Sequence, residues 1–274
     1  MPDRLADRFA ALRQRRRGGL VTFLTAGDPD PETSLQLLRG LPGAGADVIE
    51  IGMAFSDPLA DGPVIQEASL RARRAGMTLR GTLELVRRCR DDGDNDTPII
   101  LMGYYNPIHR YGVTDFVADA AAAGVDGVLV VDLPPEEDGA LWREANAAGL
   151  HVIRLATPTS DAARLPVLLA RSSGFLYYVA VAGITGAQTA PEAEVAAAIE
   201  RLRPHTELPI CVGFGLKTAE AVAATAKVAD GAVVGTAIVK KIADNLDDHG
   251  KAKAGLVDDV LGFVAHLASG LTPR

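Results

Sequence analysis

The chain has 274 residues, which is enough to bury one full-sized core, because barrels of alternating strands and helices commonly reach about 250 residues as a single domain. Its formal net charge of −7 argues against nucleic acid as the main partner, and the arginine-rich stretch at residues 13–17 is too short to reverse that charge. The charged N-terminus lacks the apolar core of a signal peptide, and no apolar run approaches the roughly 20 residues that span a bilayer. We therefore expect a single domain over residues 1–274 that binds neither nucleic acid nor membrane.

Apolar periodicity predicts helices and strands that alternate along the chain. A first helix at about residues 3–16 has Leu5, Phe9 and Leu12 on one face, and we expect this face to cover an apolar surface. The predicted strands that follow are 19–25, 48–51, 98–102, 127–131, 151–155, 175–180, 209–212 and 231–234. The helices predicted between them are about 31–41, 64–75, 79–90, 114–123, 136–147, 161–170, 192–203 and 218–226, with a last one at about 253–268.

A weak internal repeat supports this alternation. At residues 44–49, 123–128 and 148–153, an alanine and a glycine stop a helix and lead within two residues into a strand. The strands are continuous apolar runs, which is typical of a parallel sheet covered on both faces. Eight such units predict an α/β fold, a closed (β/α)8 TIM barrel with an extra N-terminal helix, and the alternative is a doubly wound open sheet. Catalytic groups of a barrel lie at the C-terminal ends of its strands and in the loops after them.

Three acidic residues lie in or just after the second predicted strand. Glu50 belongs to the β-branched run at 48–51, where burial of a carboxylate without a partner would cost several kcal/mol. Asp57 and Asp61 follow in a loop shaped by proline and glycine. In one interpretation Glu50 pairs with a distant arginine and the aspartates start turns or cap a helix. In the interpretation that we favour, the three acids converge on one rim for acid–base catalysis.

Glycine-rich turns follow the last three predicted strands. They are residues 183–186 (Gly-Ile-Thr-Gly), residues 213–215 (Gly-Phe-Gly) and residues 235–236 (Gly-Thr), and a short helix is predicted to start after the last of them. Glycines at these places let backbone N–H groups approach an anion, and the helix dipole favours negative charge there. Any one of these glycines could simply form a tight turn. Because barrels commonly bind phosphate after these strands, the three turns together predict a phosphate site.

These features together resemble the tryptophan synthase alpha subunit family over essentially the whole chain. The resemblance rests on Glu50, on residues 55–63 (Phe-Ser-Asp-Pro-Leu-Ala-Asp-Gly-Pro) and on the glycine turns, of which the acidic loop is the specific part. It implies a lyase of tryptophan biosynthesis that cleaves indole-3-glycerol phosphate to indole and glyceraldehyde 3-phosphate. It also implies no metal or organic cofactor in this chain, and a pyridoxal-phosphate beta subunit that receives the indole in an alpha2beta2 assembly.

The chemistry of that cleavage suits the acids. A proton must reach the indole ring carbon and another must leave the neighbouring hydroxyl, so a carboxyl group held in an apolar strand, Glu50, is the expected acid–base residue. The resemblance gives Asp61 the role of stabilising positive charge on the indole nitrogen. Tyr177 is expected to assist nearby, and an aromatic ring that merely packs in its strand is an equally good interpretation.

The resemblance also implies binding positions. The indole slot would be lined by Phe23, Met102, Leu129, Leu155 and Tyr177, although for each alone a place in the barrel core is the simpler interpretation. The phosphate end of the substrate would be bound by Thr185, Gly186, Gly213, Phe214, Gly215, Gly235 and Thr236, with residues 185–189 as a lid. The beta subunit would contact Phe55, Asp57, Pro58 and Leu59 and would order both loops.

A few positions depart from the family pattern. Ala54 stands where many relatives have proline, Ala180 and Val181 replace more polar residues, and Thr236 replaces a common serine. Both acids are retained, which argues against a non-catalytic barrel that binds phosphate only to regulate a partner. The remaining alternatives are a stand-alone indole-forming lyase and another phosphate-substrate barrel enzyme, such as an isomerase.

Metal and redox chemistry are not indicated by the sequence. No pair among the five histidines has metal-ligand spacing. The two cysteines, Cys89 and Cys211, lie far apart and predict neither a disulfide framework nor a paired-cysteine metal site. This usage fits the reducing cytoplasm, where we expect the protein to be located.

Overall fold

A ring of parallel strands forms the centre of the computed structural model, which describes residues 3–91, 93–180, 191–213 and 215–273. The strands are β1 (Gly19–Thr25), β2 (Val48–Gly52), β3 (Ile99–Gly103), β4 (Gly127–Val130), β5 (His151–Val152), β6 (Arg154–Ala156), β7 (Leu176–Val179), β8 (Ile210–Gly213) and β9 (Gly231–Val234). Their order is β5-β4-β3-β2-β1-β9-β8-β7-β6, and every described pair is parallel. Only Ile153 separates β5 from β6, so these two segments form one strand position and the ring closes.

Helices surround this ring. They are α1 (Arg4–Gln14), α2 (Pro31–Gly40), α3 (Pro63–Arg74), α4 (Leu79–Asp91), α5 (Tyr105–Tyr111), α6 (Val113–Ala123), α7 (Gly139–Ala148), α8 (Arg164–Leu169), α9 (Glu192–Leu202), α10 (Ala219–Val228), α11 (Thr236–Asp244) and α12 (Leu256–Ala268). The predicted (β/α)8 barrel with an extra N-terminal helix is confirmed. Across the described part of the chain, none of the helices combines the length and the apolar character that crossing a bilayer requires.

The barrel interior is filled by side chains from alternate strand positions. Each of the eight strand positions contributes a buried residue to one cluster, namely Val21, Val48, Ile100, Leu129, Ile153, Phe175, Cys211 and Val233. The apolar face of α1 belongs to the same cluster and closes the barrel at the N-terminal ends of the strands, with the rings of Phe9 and Phe175 6.0 Å apart. The predicted covering role of the first helix is therefore confirmed. The next inward-facing residue of each strand lies two positions further along, nearer the open, C-terminal end of the barrel.

Three aspartates, two buried and one (Asp230) partly buried, fix the strand starts at the closed end. Asp47, Asp126 and Asp230 each precede a strand and each accept the backbone N–H of the neighbouring strand, from Leu20, Ile99 and Ile210 at 2.8, 2.8 and 2.7 Å. Two of the three stand at the alanine–glycine corners that recur in the sequence. Because they satisfy backbone groups at the closed end, these acids stabilise the fold and are remote from the open end, where barrel active sites lie.

Candidate active site

Glu50 lies in the middle of β2 and points into the barrel, since Val48, two positions earlier on the same strand, belongs to the interior cluster. The side chain is buried, and among the described residues its Oε1 oxygen has no hydrogen-bond partner. No arginine in that part of the chain neutralises it, so pairing with a distant arginine is not what the structure shows. Burial and, secondly, the charge of Asp61 raise the pKa of Glu50 to about 8. Glu50 is therefore a protonated acid at neutral pH.

Asp61 lies in the loop between β2 and α3, and hydrogen bonds to its backbone N–H and carbonyl hold it in place. The Asp61 N–H donates to the Pro58 carbonyl at 3.0 Å, and the Gln66 side chain donates to the Asp61 carbonyl at 2.8 Å. The Tyr104 hydroxyl donates to Asp61 Oδ2 at 3.1 Å. Burial raises the pKa of Asp61 to about 6, although the hydrogen bond from Tyr104 acts in the opposite direction. Asp61 is therefore mostly ionised at neutral pH.

Both acids open onto one cavity at the C-terminal end of the barrel. Its volume is about 510 Å3 when space open to solvent is counted, a size typical of small-molecule sites. Asp57 lies outside it, exposed, with its carboxylate hydrogen-bonded to the Ser56 hydroxyl, so the structure brings together two of the three acids. The lining residues are Phe23, Glu50, Asp61, Ile65, Met102, Tyr177, Gly215, Leu216, Val233, Gly235 and Thr236. Within the described ranges, no group of three histidine, cysteine or acidic side chains is placed to hold a metal ion.

Comparison with known proteins identifies the family. The family model described as tryptophan synthase alpha chain matches residues 9–263. The chain belongs to the tryptophan synthase alpha chain family. A crystal structure of tryptophan synthase subunit alpha from Legionella pneumophila is 36% identical, with a TM-score of 0.90 and 98% of both chains covered. A Mycobacterium tuberculosis tryptophan synthase structure is 31% identical, with a TM-score of 0.88 over 98% of each chain. A structure from Aquifex aeolicus is 35% identical, with a TM-score of 0.87 over 98% of this chain and 99% of that one.

The indole-slot positions implied by the alpha-chain resemblance divide into two groups. Phe23, Met102 and Tyr177 line the cavity. Leu129 is fully buried in the interior cluster and Leu155 packs against that cluster, so neither lines the cavity of the described residues. Each nevertheless pairs in register with a residue that does line it, Leu129 with Met102 and Leu155 with Tyr177, and a substrate contact of either residue stays a prediction.

Tyr177 is held against Glu50 by the shape of its neighbour. A Cβ atom added at Gly213 would lie only 2.8 Å from Tyr177 Cζ, so glycine on β8 leaves room for the ring on β7. Burial, followed by the charge of Glu50, raises the pKa of the Tyr177 hydroxyl well above its ordinary value. Tyr177 is therefore a neutral phenol beside the acid, while Gly213 itself lies behind the ring.

Two of the glycine turns reach the cavity. Gly215 has a φ of +77°, a left-handed conformation that favours glycine, and it lines the cavity with Gly235 and Thr236. A Cβ atom at Gly235 would lie 3.3 Å from Phe23 Cβ, so this turn passes close to Phe23, which also lines the cavity. α11 begins at Thr236, and its first N–H groups therefore start at the cavity. Phe214, Val181, the turn at 183–186 and the lid predicted at 185–189, with Thr185 and Gly186, lie outside the described residues.

The four residues predicted to face a beta subunit lie in the loop before Asp61. Leu59 is 85% exposed, which is unusual for a large apolar side chain, and Asp57 is also exposed. Pro58 is partly buried, and the Phe55 ring packs on Tyr104 with centroids 5.4 Å apart. The nearby Ala54 packs against the main core. Part of the loop is therefore anchored to the barrel and part projects into solvent.

Four residues of this alpha-chain site were not predicted from the sequence. Val233 could have been found, because it lies two positions before Gly235 and so on the same face. Ile65 and Leu216 reach the cavity from α3 and from the loop after β8, and neither carries a local signal. Tyr104 follows β3 directly and contacts Asp61 only through tertiary structure.

Proposed function

We propose that this chain cleaves indole-3-glycerol phosphate to indole and glyceraldehyde 3-phosphate, the lyase reaction of its family in tryptophan biosynthesis, with Glu50 and Asp61 as the reacting acids. One observation supports the roles that we assign to the two residues. Two carboxyl groups share one largely apolar cavity, and the pKa values are about 8 for Glu50 and about 6 for Asp61. At neutral pH the pair therefore holds one proton, and that proton is on Glu50.

Glu50 starts the reaction as an acid. It donates its proton to the ring carbon that carries the glycerol chain. The resulting carboxylate removes the proton of the neighbouring hydroxyl while the carbon–carbon bond breaks, which leaves an aldehyde and restores the acid. One proton is given and one is taken back, so the step needs no further acid, base or organic cofactor in this chain.

Asp61 stabilises the charge that this protonation creates. A proton on the ring carbon places positive charge on the indole nitrogen. An ionised carboxylate within hydrogen-bonding reach of the ring N–H lowers the energy of that intermediate, and it does so most strongly in a cavity with few competing waters. The apolar walls formed by Phe23, Ile65 and Met102 supply such an environment.

In this proposal the phosphate group binds beside the glycine turns that follow β8 and β9. Gly215, Gly235 and Thr236 line the cavity there, and the nine-residue helix α11 starts at Thr236. Free N–H groups in the first turn and the helix dipole both favour a bound anion. The hydroxyl of Thr236 adds a donor where many relatives have serine.

We also propose a pyridoxal-phosphate beta subunit as partner, in an alpha2beta2 complex in the cytoplasm, with this chain acting as one domain. Leu59, at 85% exposure, stands beside the exposed Asp57 in the loop that ends at Asp61, so a docking partner would contact the loop that carries a catalytic acid. Indole is small and uncharged, and release into solvent would lose it. Docking beside the cavity avoids that loss.

The experiment that tests the lyase function is indole release from indole-3-glycerol phosphate by the purified chain, alone and with the cognate beta subunit. Glu50→Gln is the test variant, and Glu84→Gln, in the exposed ion pair with Arg87 on α4, is its matched control. We expect indole from the parent and from the control, and a loss of roughly 10²–10⁴ in Glu50→Gln. Absence of indole from the parent in both conditions contradicts the proposal. A parent rate unaffected by the beta subunit would favour the stand-alone lyase.

A further inference from the structure

Tyr104 joins the end of β3 to the loop that carries Asp61, and the proposed reaction gives it no role. It directly follows β3 and is 6% exposed. Its ring packs on Phe55, and its hydroxyl reaches Asp61 and Ala60. One side chain from the third strand position thus contacts the loop after the second strand at three points.

The hydrogen-bond directions at the Tyr104 hydroxyl are fixed by its neighbours. The Ala60 N–H can only donate, and it does so to the Tyr104 oxygen at 2.9 Å. A phenol has one proton, so that proton is free to be donated to Asp61 Oδ2 at 3.1 Å. Asp61 Oδ2 is therefore held as an acceptor, which favours the ionised carboxylate and leaves Oδ1 for the substrate.

We propose that Tyr104 is the positioning residue for Asp61, presenting its ionised carboxylate to the indole N–H and tying it to the loop that carries Phe55. This inference rests on the lyase function proposed above. Tyr104 contacts Asp61 and is not among the residues that line the cavity shared by the two acids, so its role would be exerted through Asp61. Because the Phe55 and Tyr104 rings pack together, a partner that moves the Phe55 loop would also move Tyr104 and so reorient Asp61.

Tyr104→Phe tests this role, since it removes one oxygen atom and keeps the packed ring. Tyr105→Phe is the matched control, because the described polar contact of Tyr105 is made by its backbone N–H to Asp132 and not by its hydroxyl. We expect Tyr104→Phe to lower kcat by roughly 10- to 100-fold, the worth of a hydrogen bond to a charged group, with a smaller change in KM. The acid limb of its profile of kcat/KM against pH should move to higher pH, because the carboxylate loses a donor. Tyr105→Phe should match the parent.

A role confined to packing would give a different result. Loss of kcat with an unmoved acid limb, or a profile identical to that of the parent, overturns the proposal while the lyase function stands. If the parent itself releases no indole, the function fails and Tyr104 is judged by a second measurement. That measurement is the carbon-13 NMR titration of the Asp61 carboxyl, assigned with Asp61→Asn. An unchanged Asp61 titration in Tyr104→Phe overturns the proposal, and an upward shift supports it.

Discussion

Replacing Glu50 with glutamine should make the protein more stable at pH 7 while it removes most of the lyase activity. The side chain is 1% exposed, and burial together with the charge of Asp61 raises its pKa from 4.5 to about 8. Between these two values the native state keeps a proton that the unfolded chain has released. The contribution of Glu50 to stability is therefore fully present below about pH 4.5 and is lost progressively up to about pH 8.

The size of the effect follows from this linkage. Each pH unit in the window costs about 1.4 kcal/mol of unfolding free energy, and pH 7 lies about 2.5 units above the unfolded value of 4.5. Glu50 therefore lowers stability by roughly 3 kcal/mol at pH 7 relative to acidic pH. Glutamine has nearly the same shape and no ionisable group, so Glu50→Gln avoids this loss. At pH 5 the gain should shrink to less than about 1 kcal/mol.

Urea unfolding followed by circular dichroism at pH 5 and pH 7 measures both values. Glu84→Gln is again the control, because its side chain is 51% exposed and should give no gain at either pH. We expect neither a Glu50→Gln variant that is no more stable than the parent at pH 7 nor a gain that is the same at both pH values. Either result would mean that Glu50 is not a buried, protonated acid in the native state.

Three further predictions concern the phosphate end, the closed end and the docking loop. Gly235→Asp should weaken binding of the phosphate-bearing substrate far more than binding of indole, because it adds a side chain and a negative charge to the proposed phosphate site. Equal losses of affinity for the two ligands in calorimetry would show that the phosphate binds elsewhere. Asp126→Ala should lower the unfolding free energy by about 3–5 kcal/mol, because it leaves Arg90 and the Ile99 N–H without their shared partner. A loss below about 1 kcal/mol in denaturant unfolding would contradict this prediction. Leu59→Asp should weaken binding of the cognate beta subunit at least about tenfold, and an unchanged affinity in a pull-down titration would exclude this loop from the interface.

The sequence allowed the barrel to be predicted because its signals are local. The apolar run at 19–25 is the observed β1, and the run at 231–234 is the observed β9. The strand predicted at 151–155 is divided at Ile153, because the ladder to β4 ends at Val152 and the ladder to β7 begins at Arg154. The helix α5 was missed, since residues 105–111 contain a proline and have no apolar period. Its first N–H is satisfied by Asp132, which lies 27 positions away in the sequence.

Residues of the candidate site could be predicted where an acid is out of place in its local sequence. They could not be predicted where only tertiary contacts bring a residue to the site. Glu50 stands out because a carboxylate inside a β-branched run conflicts with its surroundings. Leu129 was expected at the slot only because the family resemblance implied it, and whether a residue of its strand reaches the cavity depends on how the strands are staggered around the barrel. Tyr104 follows a strand like many barrel residues, and nothing local indicates that its hydroxyl lies between Ala60 and Asp61.

The central claim is that a protonated Glu50 and an ionised Asp61 share one active site. The pH dependence of kcat/KM for indole release measures it most directly, because that quantity reports the ionisation of the free enzyme. We predict a bell-shaped profile with limbs near pH 6 and pH 8, set by the pKa values of Asp61 and Glu50, and an acid limb that disappears from the residual activity of Asp61→Asn. A flat profile between pH 5 and pH 9 in the parent, or an acid limb that persists in Asp61→Asn, would contradict the account.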